Sequence, residues 1–222
     1  MNTLNHVAFI MDGNGRWGKK KKKNRNFGHL KGVDTVKKIV KTAIKLSIPI
    51  VSFYVFSTEN WKRPKYEINY LFKLIKNYFS KELNNIINQG IKINIIGEND
   101  QLPQEIKYIL KKIVNETINN KKIIVNLAIN YGSKNEILRA IKKCKGKFTL
   151  KNIESNLYTK NIPDPDILIR TGGHHRLSNF MLWQLAYTEL FFIKKLWPDF
   201  NENDLVKAII KYKKIKRNFG GI

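Results

Sequence analysis

The sequence has almost no cysteine and no long apolar run. Cys144 is the only cysteine among 222 residues, so the chain can form no intramolecular disulfide and no cysteine cluster for a metal. No uninterrupted apolar stretch approaches the ~20 residues that a membrane-spanning helix needs. A strand-like segment follows the first residues almost at once, so we expect no secretory signal peptide. These features favour a protein of the reducing cytoplasm.

Acidic residues are also scarce, while lysine is abundant. Lys and Arg together number 42 against 17 Asp and Glu, which gives a formal net charge of +25. Such a charge is one mark of a nucleic-acid-binding protein. The excess is almost all lysine spread along the chain, however, and genome-wide codon bias produces the same lysine-, asparagine- and isoleucine-rich composition. We therefore expect no nucleic-acid partner, and a basic nucleic-acid-binding α/β protein is the remote alternative.

Arginine is rare in this lysine-rich chain, and most arginines lie beside glycines, turns or polar clusters. The guanidinium group is a rigid fork that binds carboxylates and phosphates in a bidentate manner, which lysine cannot do. The distribution therefore predicts discrete anion sites. The arginines are Arg16, Arg25, Arg63, Arg139, Arg170, Arg176 and Arg217.

Short apolar runs alternate with amphipathic segments along the chain. The runs predict strands over residues 7–11, 50–56, 91–96, 123–129, 166–169 and 189–193. The amphipathic segments predict helices over 29–47, 67–89, 104–119, 153–158 and 201–214, and the segment Asn130–Ser133 is predicted to open one more helix. This alternation is typical of a mainly parallel sheet covered by helices. We predict one α/β domain over residues 1–222, with a central six-stranded sheet.

The first predicted strand ends in a carboxylate, Asp12, at the position where open α/β sheets place their ligands. Gly13 and Gly15 allow backbone amides to curl around an anion, and Arg16 can face a phosphate. A carboxylate also suits a divalent metal. The pattern predicts a diphosphate and Mg²⁺ site, with a tight turn after a core strand as the alternative.

The glycines from Gly13 to Gly18 match the G-x-G-x-x-G dinucleotide fingerprint, and Asp34 follows about twenty residues later. Asp34 lies within a helical pattern, however, whereas the fingerprint needs an acid at the end of a second strand. Trp17 and the run Lys19–Lys23 also stand where the phosphate-binding helix should begin. We therefore interpret the match as coincidental, with a nicotinamide or flavin enzyme as the alternative. The lysine run is predicted to be a solvated loop, with a flap over an anionic substrate as the alternative.

A second polar cluster follows the fifth predicted strand. Arg170 and Arg176 flank two glycines, and Ser178 comes soon after. Two guanidinium groups, a hydroxyl and exposed amides suit a diphosphate. A surface loop with arginines present by chance is the alternative.

Two histidines and one glutamate are candidate partners of Asp12 in metal binding. His174 and His175 are adjacent, so at most one of them is expected to share a metal with Asp12. Glu189 is a candidate second carboxylate ligand, although a surface or helix-capping role is the alternative.

The helix predicted over 67–89 has a wide apolar face, formed by Ile68, Leu71, Phe72, Ile75, Phe79, Leu83 and Ile86. Such a face ordinarily packs in the core. The helix directly follows the polar segment Ser57–Arg63, so its apolar face could also be the wall of a groove for a hydrocarbon tail. Each buried CH₂ group contributes roughly 0.8 kcal/mol, so a long groove could hold a growing lipid chain.

Together these segments resemble the cis-prenyltransferase family, which includes bacterial undecaprenyl diphosphate synthases. The resemblance runs through nearly the whole chain in the family's order. The matching blocks are His6–Trp17, Phe27–His29, Phe56–Pro64, Asn130–Gly132, Ile169–Gly173, Arg176–Gln184, Glu189–Leu190, Trp197–Phe200 and Phe219–Gly221.

The resemblance implies a six-stranded parallel sheet flanked by helices, a hydrophobic product tunnel and a homodimer. It implies Mg²⁺-dependent cis condensation of isopentenyl diphosphate onto farnesyl diphosphate. Repeated condensation would give undecaprenyl diphosphate, the lipid carrier precursor for peptidoglycan synthesis, with a shorter or longer polyprenyl diphosphate as the alternative. The enzyme would be cytoplasmic, at most peripheral to the inner face of the membrane, and would deliver its product to the membrane surface.

The resemblance also implies site residues. Asp12 and Asn60 are the expected catalytic residues, and Asp12, His175 and Glu189 are the positions linked to the metal or to the dimer partner's site. The allylic diphosphate falls on Gly13, Asn14, Gly15, Arg16, Trp17, Arg25, His29 and Arg63. Isopentenyl diphosphate falls on Arg170, Arg176 and Ser178. The reacting ends of both substrates fall near Ser57, Thr58, Glu59, Asn60 and Trp61. The product would run along Leu71, Phe72, Ile75 and Phe79.

The chain departs from the family's pattern at three places. His174 stands where the family usually has Glu, which bears on the metal site. Asn218 replaces a common Arg and leaves Arg217 alone to reach a diphosphate. The segment 144–165 is short, which bears on product length. The proton acceptor stays open between Asn60, His29 and a diphosphate oxygen.

Overall fold

The computed structural model describes residues 2–146 and 148–218, so the Phe219–Gly221 block lies outside the described residues. Six strands form one sheet: β1 (His6–Ile10), β2 (Ile50–Ser57), β3 (Ile91–Ile96), β4 (Ile123–Tyr131), β5 (Ile167–Arg170) and β6 (Glu189–Phe192). Their order in the sheet is β3-β4-β2-β1-β5-β6. The pairs β1–β5, β3–β4 and β5–β6 run parallel. The predicted α/β class with a parallel six-stranded sheet is confirmed.

Seven α-helices connect and flank the strands in the described residues: α1 (Asn14–Lys20), α2 (Arg25–Lys45), α3 (Lys65–Asn88), α4 (Gln104–Glu116), α5 (Ser133–Lys143), α6 (Leu150–Glu154) and α7 (Glu202–Lys214). Two short 3-10 helices span Thr58–Lys62 and Trp197–Asp199. No helix within residues 2–146 and 148–218 has the length and apolar character needed to cross a membrane.

Helix α1 was not predicted, and the loop predicted over Lys19–Lys23 is wrong at its first two residues. Lys19 and Lys20 form the last turn of α1, where positive side chains complement the helix dipole. Close packing on α2 explains why this glycine-containing segment is helical: a Cβ on Gly28 would lie 1.8 Å from the carbonyl oxygen of Asn14. Asp34 lies inside α2, as expected, which removes the acid that the dinucleotide fingerprint requires.

The chain divides into two compact units. The first unit comprises Met1–Val51, Asp164–Arg176 and Gln184–Ile222. Its core includes the fully buried Phe9, whose ring meets the rings of Trp197 at 5.9 Å and Phe200 at 6.2 Å. The Trp197 indole N–H donates to the carbonyl of Gly32 at 2.9 Å, which ties the core to α2.

The second unit comprises Ser52–Pro163 and Leu177–Trp183. Strand β4 is its buried centre, and polar side chains inside it are satisfied by one another. Asn126, fully buried on β4, donates to Ser52 Oγ at 2.9 Å and accepts from Asn94 at 3.1 Å. The buried Glu136 of α5 accepts a short hydrogen bond from the Tyr131 hydroxyl and one from the Tyr158 backbone N–H at 2.8 Å.

Candidate functional site

In the first unit, the Asp12 carboxylate collects three donors directly after β1. Its Oδ1 accepts from Arg16 Nη2 at 3.0 Å, and its Oδ2 accepts from Arg170 Nη2 at 2.9 Å. The imidazole Nδ1 of His174 lies 2.8 Å from the same Oδ2. We refer to Asp12, Arg16, Arg170 and His174 as the Asp12 cluster.

The strand register explains why these residues meet. Strands β1 and β5 are parallel neighbours in which Ile10 pairs with Arg170, so the carboxyl ends of both strands lie side by side. The turn after β5 then approaches closely because Gly172 has a φ of +86°, and a Cβ there would lie 3.0 Å from Asp12 Cγ and 2.5 Å from Arg16 Nη2. Only a residue without a side chain fits such a contact at a positive φ.

The surroundings of Asp12 favour its charged form. Burial alone would raise the pKa of this carboxyl, but hydrogen bonds from His174, Arg170 and Arg16 outweigh burial, so the pKa of Asp12 lies below its ordinary value. The Arg170 side chain is only 4% exposed, whereas those of Asp12 and Arg16 are 24% and 45% exposed. In the cluster, the Asp12 carboxylate is thus fixed by ion pairs with two guanidinium groups, the buried one of Arg170 and the more exposed one of Arg16.

Helix α1 begins immediately beside this cluster. Its N-cap, Gly13, has a φ of 109°, and the first backbone amides of a helix have no intrahelical acceptor. The Arg25 guanidinium lies over the first turn, since a Cβ on Gly15 would meet Arg25 Cζ at 2.6 Å. These positions place a guanidinium group and helix-start amides close to one another, which is the composition of an anion site.

Two other residues predicted for the allylic diphosphate lie on α1 and α2. Trp17 donates its indole N–H to Asp199 Oδ1 at 2.7 Å and stacks on Phe27 at 5.8 Å between ring centroids. These contacts make Trp17 a packing residue of α1. His29 lies on α2 and is half-buried.

In the second unit, the segment Ser57–Arg63 forms a capped 3-10 helix after β2. The Ser57 backbone N–H donates to Asn60 Oδ1 at 3.2 Å, and the Ser57 side chain caps the turn in return. Ser57 and Asn60, both predicted site residues, therefore also stabilise the start of the 3-10 helix.

Glu59 and Arg63 have fixed partners in the same unit. Glu59 accepts from Asn179 Nδ2 at 2.8 Å and from Thr58 Oγ1 at 3.2 Å. Burial would raise the pKa of Glu59, but the hydrogen bonds that it accepts, led by the one from Asn179, lower it overall. Arg63 Nη1 donates to Glu67 Oε1 at 3.2 Å, and the Glu67 side chain is only 3% exposed.

The predicted isopentenyl-diphosphate residues have different exposures. Arg170 is buried and donates through Nη1 to the backbone carbonyl of Arg176, while the Arg176 side chain is exposed. Ser178, in the second unit, is exposed with a φ of 51°, and its carbonyl accepts from the Tyr54 hydroxyl at 3.2 Å. Arg176 and Ser178 can therefore reach a ligand in solvent, and Arg170 is engaged with Asp12.

The structure does not bring Asp12, His175 and Glu189 together as a ligand set. Across residues 2–146 and 148–218, no three His, Cys, Asp or Glu side chains form a group suited to a metal ion. The ring of His175 packs on Phe192 at 5.0 Å, and Glu189 Oε1 lies 3.7 Å from Arg217 Nε. The sequence identified the adjacent histidine pair but not that His174 is the one on Asp12.

Arg217 is held within the first unit. Its Nη2 donates to the carbonyl of Tyr187 at 2.6 Å, and its Nη1 donates to the Tyr212 hydroxyl at 3.1 Å. Asp166 Oδ1 is 3.6 Å from Nη1, and the Arg217 side chain is 13% exposed. These contacts anchor the segment after α7, whereas the sequence suggested that Arg217 reaches a diphosphate.

The apolar residues predicted along α3 belong to the second unit. Phe72 and Phe79 are buried, and Leu71 and Ile75 are half-buried. The Phe72 ring lies 5.2 Å from that of Phe56 and 5.6 Å from that of Trp61. The apolar face of α3 thus begins in contact with the Ser57–Arg63 segment, as the sequence suggested.

Comparison with known proteins identifies the family. Residues 10–220 match the model of the family described as "Putative undecaprenyl diphosphate synthase". The chain belongs to this family. The resemblance to cis-prenyltransferases is thereby confirmed over nearly the whole chain.

Relatives of this undecaprenyl diphosphate synthase family member agree with the match. Isoprenyl transferase of Oceanobacillus iheyensis is 42% identical over 100% of this chain and 92% of its own length. That of Geobacillus kaustophilus is 46% identical over 98% and 89%.

Two solved structures share the fold. The lavandulyl diphosphate synthase of Lavandula x intermedia, in complex with dimethylallyl diphosphate, superposes with a TM-score of 0.93 at 33% identity and 98% coverage of both chains. A probable undecaprenyl diphosphate synthase from Campylobacter jejuni gives a TM-score of 0.86 at 32% identity, with 99% of this chain and 100% of that chain covered. The fold of this family member is therefore that of diphosphate synthases.

Proposed function

We propose that the chain is a Mg²⁺-dependent cis-prenyltransferase that condenses isopentenyl diphosphate onto farnesyl diphosphate. Repeated condensation yields undecaprenyl diphosphate, the lipid carrier precursor for peptidoglycan synthesis. Membership of the undecaprenyl diphosphate synthase family and identities of 42% and 46% to isoprenyl transferases support the reaction class. We further propose that residues 1–222 work as one catalytic domain, because the family match extends over both compact units.

The observation that carries this proposal is the Asp12 cluster at the carboxyl ends of β1 and β5. The charged carboxylate there accepts hydrogen bonds from Arg16 Nη2 at 3.0 Å and from Arg170 Nη2 at 2.9 Å, next to the first turn of a helix. Helix-start amides and guanidinium groups stabilise the charge that develops on a leaving diphosphate. We assign Gly13–Arg16 and Arg25 to the allylic diphosphate on this basis, with His29 and Arg63 added by the family resemblance.

The donor set of Asp12 fits Mg²⁺. Magnesium prefers oxygen ligands and is usually held by one or two carboxylates together with substrate phosphates and water. A single partly exposed carboxylate beside an anion site satisfies this pattern, and Asp12 is the residue that would hold the ion. Bound Mg²⁺ would supply neutralisation of the diphosphate charge. We propose that His175 and Glu189 contribute to the metal site of the partner subunit in a dimer.

Arg170, Arg176 and Ser178 orient isopentenyl diphosphate in this proposal. Arg170 holds the strand end against Asp12, while the exposed Arg176 and Ser178 offer a guanidinium group and a hydroxyl. Orientation of two substrates contributes to catalysis by converting a bimolecular encounter into an effectively unimolecular step.

In the second unit, Ser57, Thr58, Glu59, Asn60 and Trp61 are proposed to lie at the reacting ends of the substrates. Asn60 and Glu59 are fixed by hydrogen bonds to Ser57 and Asn179, so their side chains are preorganised. Asn60, His29 or a diphosphate oxygen accepts the proton. We propose that the growing chain then follows Leu71, Phe72, Ile75 and Phe79 along α3.

We propose a homodimer in the cytoplasm that delivers its product to the membrane surface, at most peripherally attached. The sheet order leaves β6 at an edge, where Leu190 is 43% exposed and the preceding Tyr187 is 66% exposed. An exposed strand edge with apolar side chains is a natural pairing surface. These features support association of two copies through this edge.

A different product length is the second candidate. The similarity to a lavandulyl diphosphate synthase with bound dimethylallyl diphosphate favours testing a shorter allylic substrate. The deciding experiment is incubation with isopentenyl diphosphate, Mg²⁺ and either farnesyl or dimethylallyl diphosphate, with products identified by mass spectrometry. We expect undecaprenyl diphosphate from farnesyl diphosphate. A shorter or longer product supports the second candidate, and no condensation refutes both.

A further inference from the structure

Asn130 has no role in the site residues assigned above, yet it holds one of them. It lies near the end of β4, is 3% exposed, and pairs both the oxygen and the nitrogen of its carboxamide. Its Oδ1 accepts from the Trp61 indole N–H at 2.7 Å, and its Nδ2 donates to the backbone carbonyl of Glu98 at 3.0 Å. An indole N–H only donates and a carbonyl only accepts, so the two partners fix the orientation of the amide.

The backbone at Asn130 is as constrained as its side chain. Its φ of 50° lies in the left-handed region, where asparagine is among the few residues other than glycine that occur regularly. Its carbonyl accepts from the Glu98 N–H at 3.1 Å. The carboxamide therefore extends from a backbone whose carbonyl is itself hydrogen-bonded, and it can hold a partner at a defined position.

Trp61 is in turn held on its apolar side. Its ring lies 5.2 Å from that of Phe56, edge to face, and 5.6 Å from that of Phe72. Ring contacts have no fixed direction within the ring, whereas the hydrogen bond to Asn130 selects one rotamer of the indole. Trp61 thereby connects the proposed reacting end, at Asn60, to the start of the proposed product path, at Phe72.

We propose that Asn130 is a positioning residue that fixes the indole plane of Trp61 during prenyl condensation, an inference that rests on the proposed function. Without this acceptor, the indole N–H loses its partner, and the ring turns to recover one. The Trp61 ring, which lies between the reacting end and the product path, then shifts. A displacement of ~1 Å at a reacting centre can cost about a hundredfold in rate.

A matched control residue lies on the same strand. Asn126 is also a buried asparagine of β4 with two side-chain hydrogen bonds, but its partners are Ser52 and Asn94. Loss of its carboxamide removes the same chemistry from the core without touching Trp61. The variant Asn126→Ala therefore reports the structural cost of losing a buried amide on β4.

The test compares Asn130→Gly, Asn130→Asp and Asn126→Ala, each with and without Trp61→Phe, using the full chain with farnesyl diphosphate, isopentenyl diphosphate and Mg²⁺. Glycine tolerates the positive φ and removes the carboxamide. The readouts are kcat, KM for isopentenyl diphosphate, and the emission spectrum of Trp61, obtained by subtracting the spectrum of the Trp61→Phe counterpart. Emission is measured without substrate, so it reports on Trp61 independently of turnover.

We expect Asn130→Gly to lower kcat about tenfold or more with KM within about twofold, and to shift the Trp61 emission. In the Trp61→Phe background the same substitution should cost only about twofold, because the hydrogen bond is already absent. Asn126→Ala should leave kcat within about twofold and Trp61 emission unchanged. An equal loss of kcat from Asn130→Gly in both backgrounds, or unchanged emission, overturns the proposal.

Asn130→Asp keeps the test decisive if the glycine variant does not fold. Its carboxyl group still accepts from Trp61, and burial favours the protonated form, whose O–H can donate to the Glu98 carbonyl, so we expect Trp61 emission and kcat close to those of the unsubstituted chain. A tenfold loss of kcat with unchanged emission would contradict the proposal. Failure of the unsubstituted protein to condense would refute the proposed function, and that result is visible before any variant is compared.

Discussion

Arg170 and Asp12 are 158 residues apart in the chain, and Arg170 Nη2 lies 2.9 Å from Asp12 Oδ2. The pair joins the ends of two neighbouring parallel strands. The Arg170 side chain is only 4% exposed, and this carboxylate compensates its charge. Asp12 therefore has a structural partner as well as a proposed metal, and stability measurements can separate the two roles.

Removal of the carboxylate should destabilise the protein. We predict that Asp12→Ala lowers the free energy of unfolding by about 3 kcal/mol, because the buried Arg170 guanidinium group loses the carboxylate to which it donates. In the double variant with Arg170→Met, part of the loss should be recovered. Urea unfolding measures both. The control is Asp34→Ala, which breaks the exposed 3.3 Å pair with Lys31 and should cost under about 1 kcal/mol. If the losses of unfolding free energy from Asp12→Ala and Arg170→Met simply add in the double variant, the two side chains do not stabilise each other, which would contradict the prediction.

The same pair predicts a pH dependence. The pKa of Asp12 in the folded chain lies below its ordinary value of 3.8, so the carboxylate contributes stability at pH values above 3.8. This contribution is lost as the pH falls through the lowered folded-state pKa. We predict that the difference in unfolding free energy between the unsubstituted chain and Asp12→Asn shrinks over that acidic range. A difference that stays constant from neutral to strongly acidic pH would contradict the assignment.

The turn after β5 offers a test with a closely matched control. Gly172 and Gly146 both have a φ of +86°, but a Cβ on Gly172 would lie 2.5 Å from Arg16 Nη2, whereas one on Gly146 meets nothing within 4 Å. Gly146→Ala should cost about 1 kcal/mol of stability and leave condensation intact. Gly172→Ala should cost more and lower the condensation rate about tenfold or more, because it displaces Asp12 and Arg16. Equal effects of the two substitutions on condensation would argue against the site.

Arg63 and Glu67 allow structure and chemistry to be separated in the second unit. Glu67 is nearly buried and lies 3.2 Å from Arg63, so Arg63→Met should destabilise the protein by about 2–3 kcal/mol. Adding Glu67→Gln removes the buried charge that has lost Arg63 and should restore part of the stability. Condensation should stay low in both variants, since the cation proposed for the allylic diphosphate is still missing. Recovery of condensation together with stability would contradict that role for Arg63.

The proposed product path predicts a change in product length. Ile75 is half-buried on α3, one turn beyond Phe72. A larger side chain in the path should stop chain growth early, so Ile75→Trp should give a shorter product than the unsubstituted chain. Lys76→Trp is the control, because Lys76 is the exposed neighbour that pairs with Glu105 at 2.6 Å. Mass spectrometry measures the product length of each variant. Equal product lengths for Ile75→Trp and Lys76→Trp would show that the hydrocarbon chain does not pass Ile75.

The strands were predictable because buried parallel strands are short apolar runs between turn residues. Strand β3 has the predicted bounds, 91–96. Strands β2, β4 and β6 differ by one or two residues at one end, and β1 and β5 are shifted by one residue at both ends. Helix α1 was missed because glycines have low helix propensity and like charges three or four residues apart repel one another along a helix. Its packing on α2, through the contact between Gly28 and Asn14, overrides that preference.

The site was predictable in its residues but not in its pairings. Polar residues at strand ends indicated Asp12 and Arg170 separately, because both follow or end apolar runs. That they touch depends on β1 and β5 being neighbours, which sequence periodicity does not encode. The same limit explains why the sequence could not choose between His174 and His175, since the direction of each ring is set by the turn at Gly172.

The most direct test of the central claim is the mass of the product formed from farnesyl diphosphate and isopentenyl diphosphate with Mg²⁺. Parallel reactions contain a chelator, or the Asp12→Asn protein after its folding has been verified by urea unfolding. We predict undecaprenyl diphosphate in the complete reaction, and a loss of about a hundredfold or more in the condensation rate with the chelator and with Asp12→Asn. Condensation that proceeds at an unchanged rate with Asp12→Asn, or no condensation by the unsubstituted chain, would contradict it.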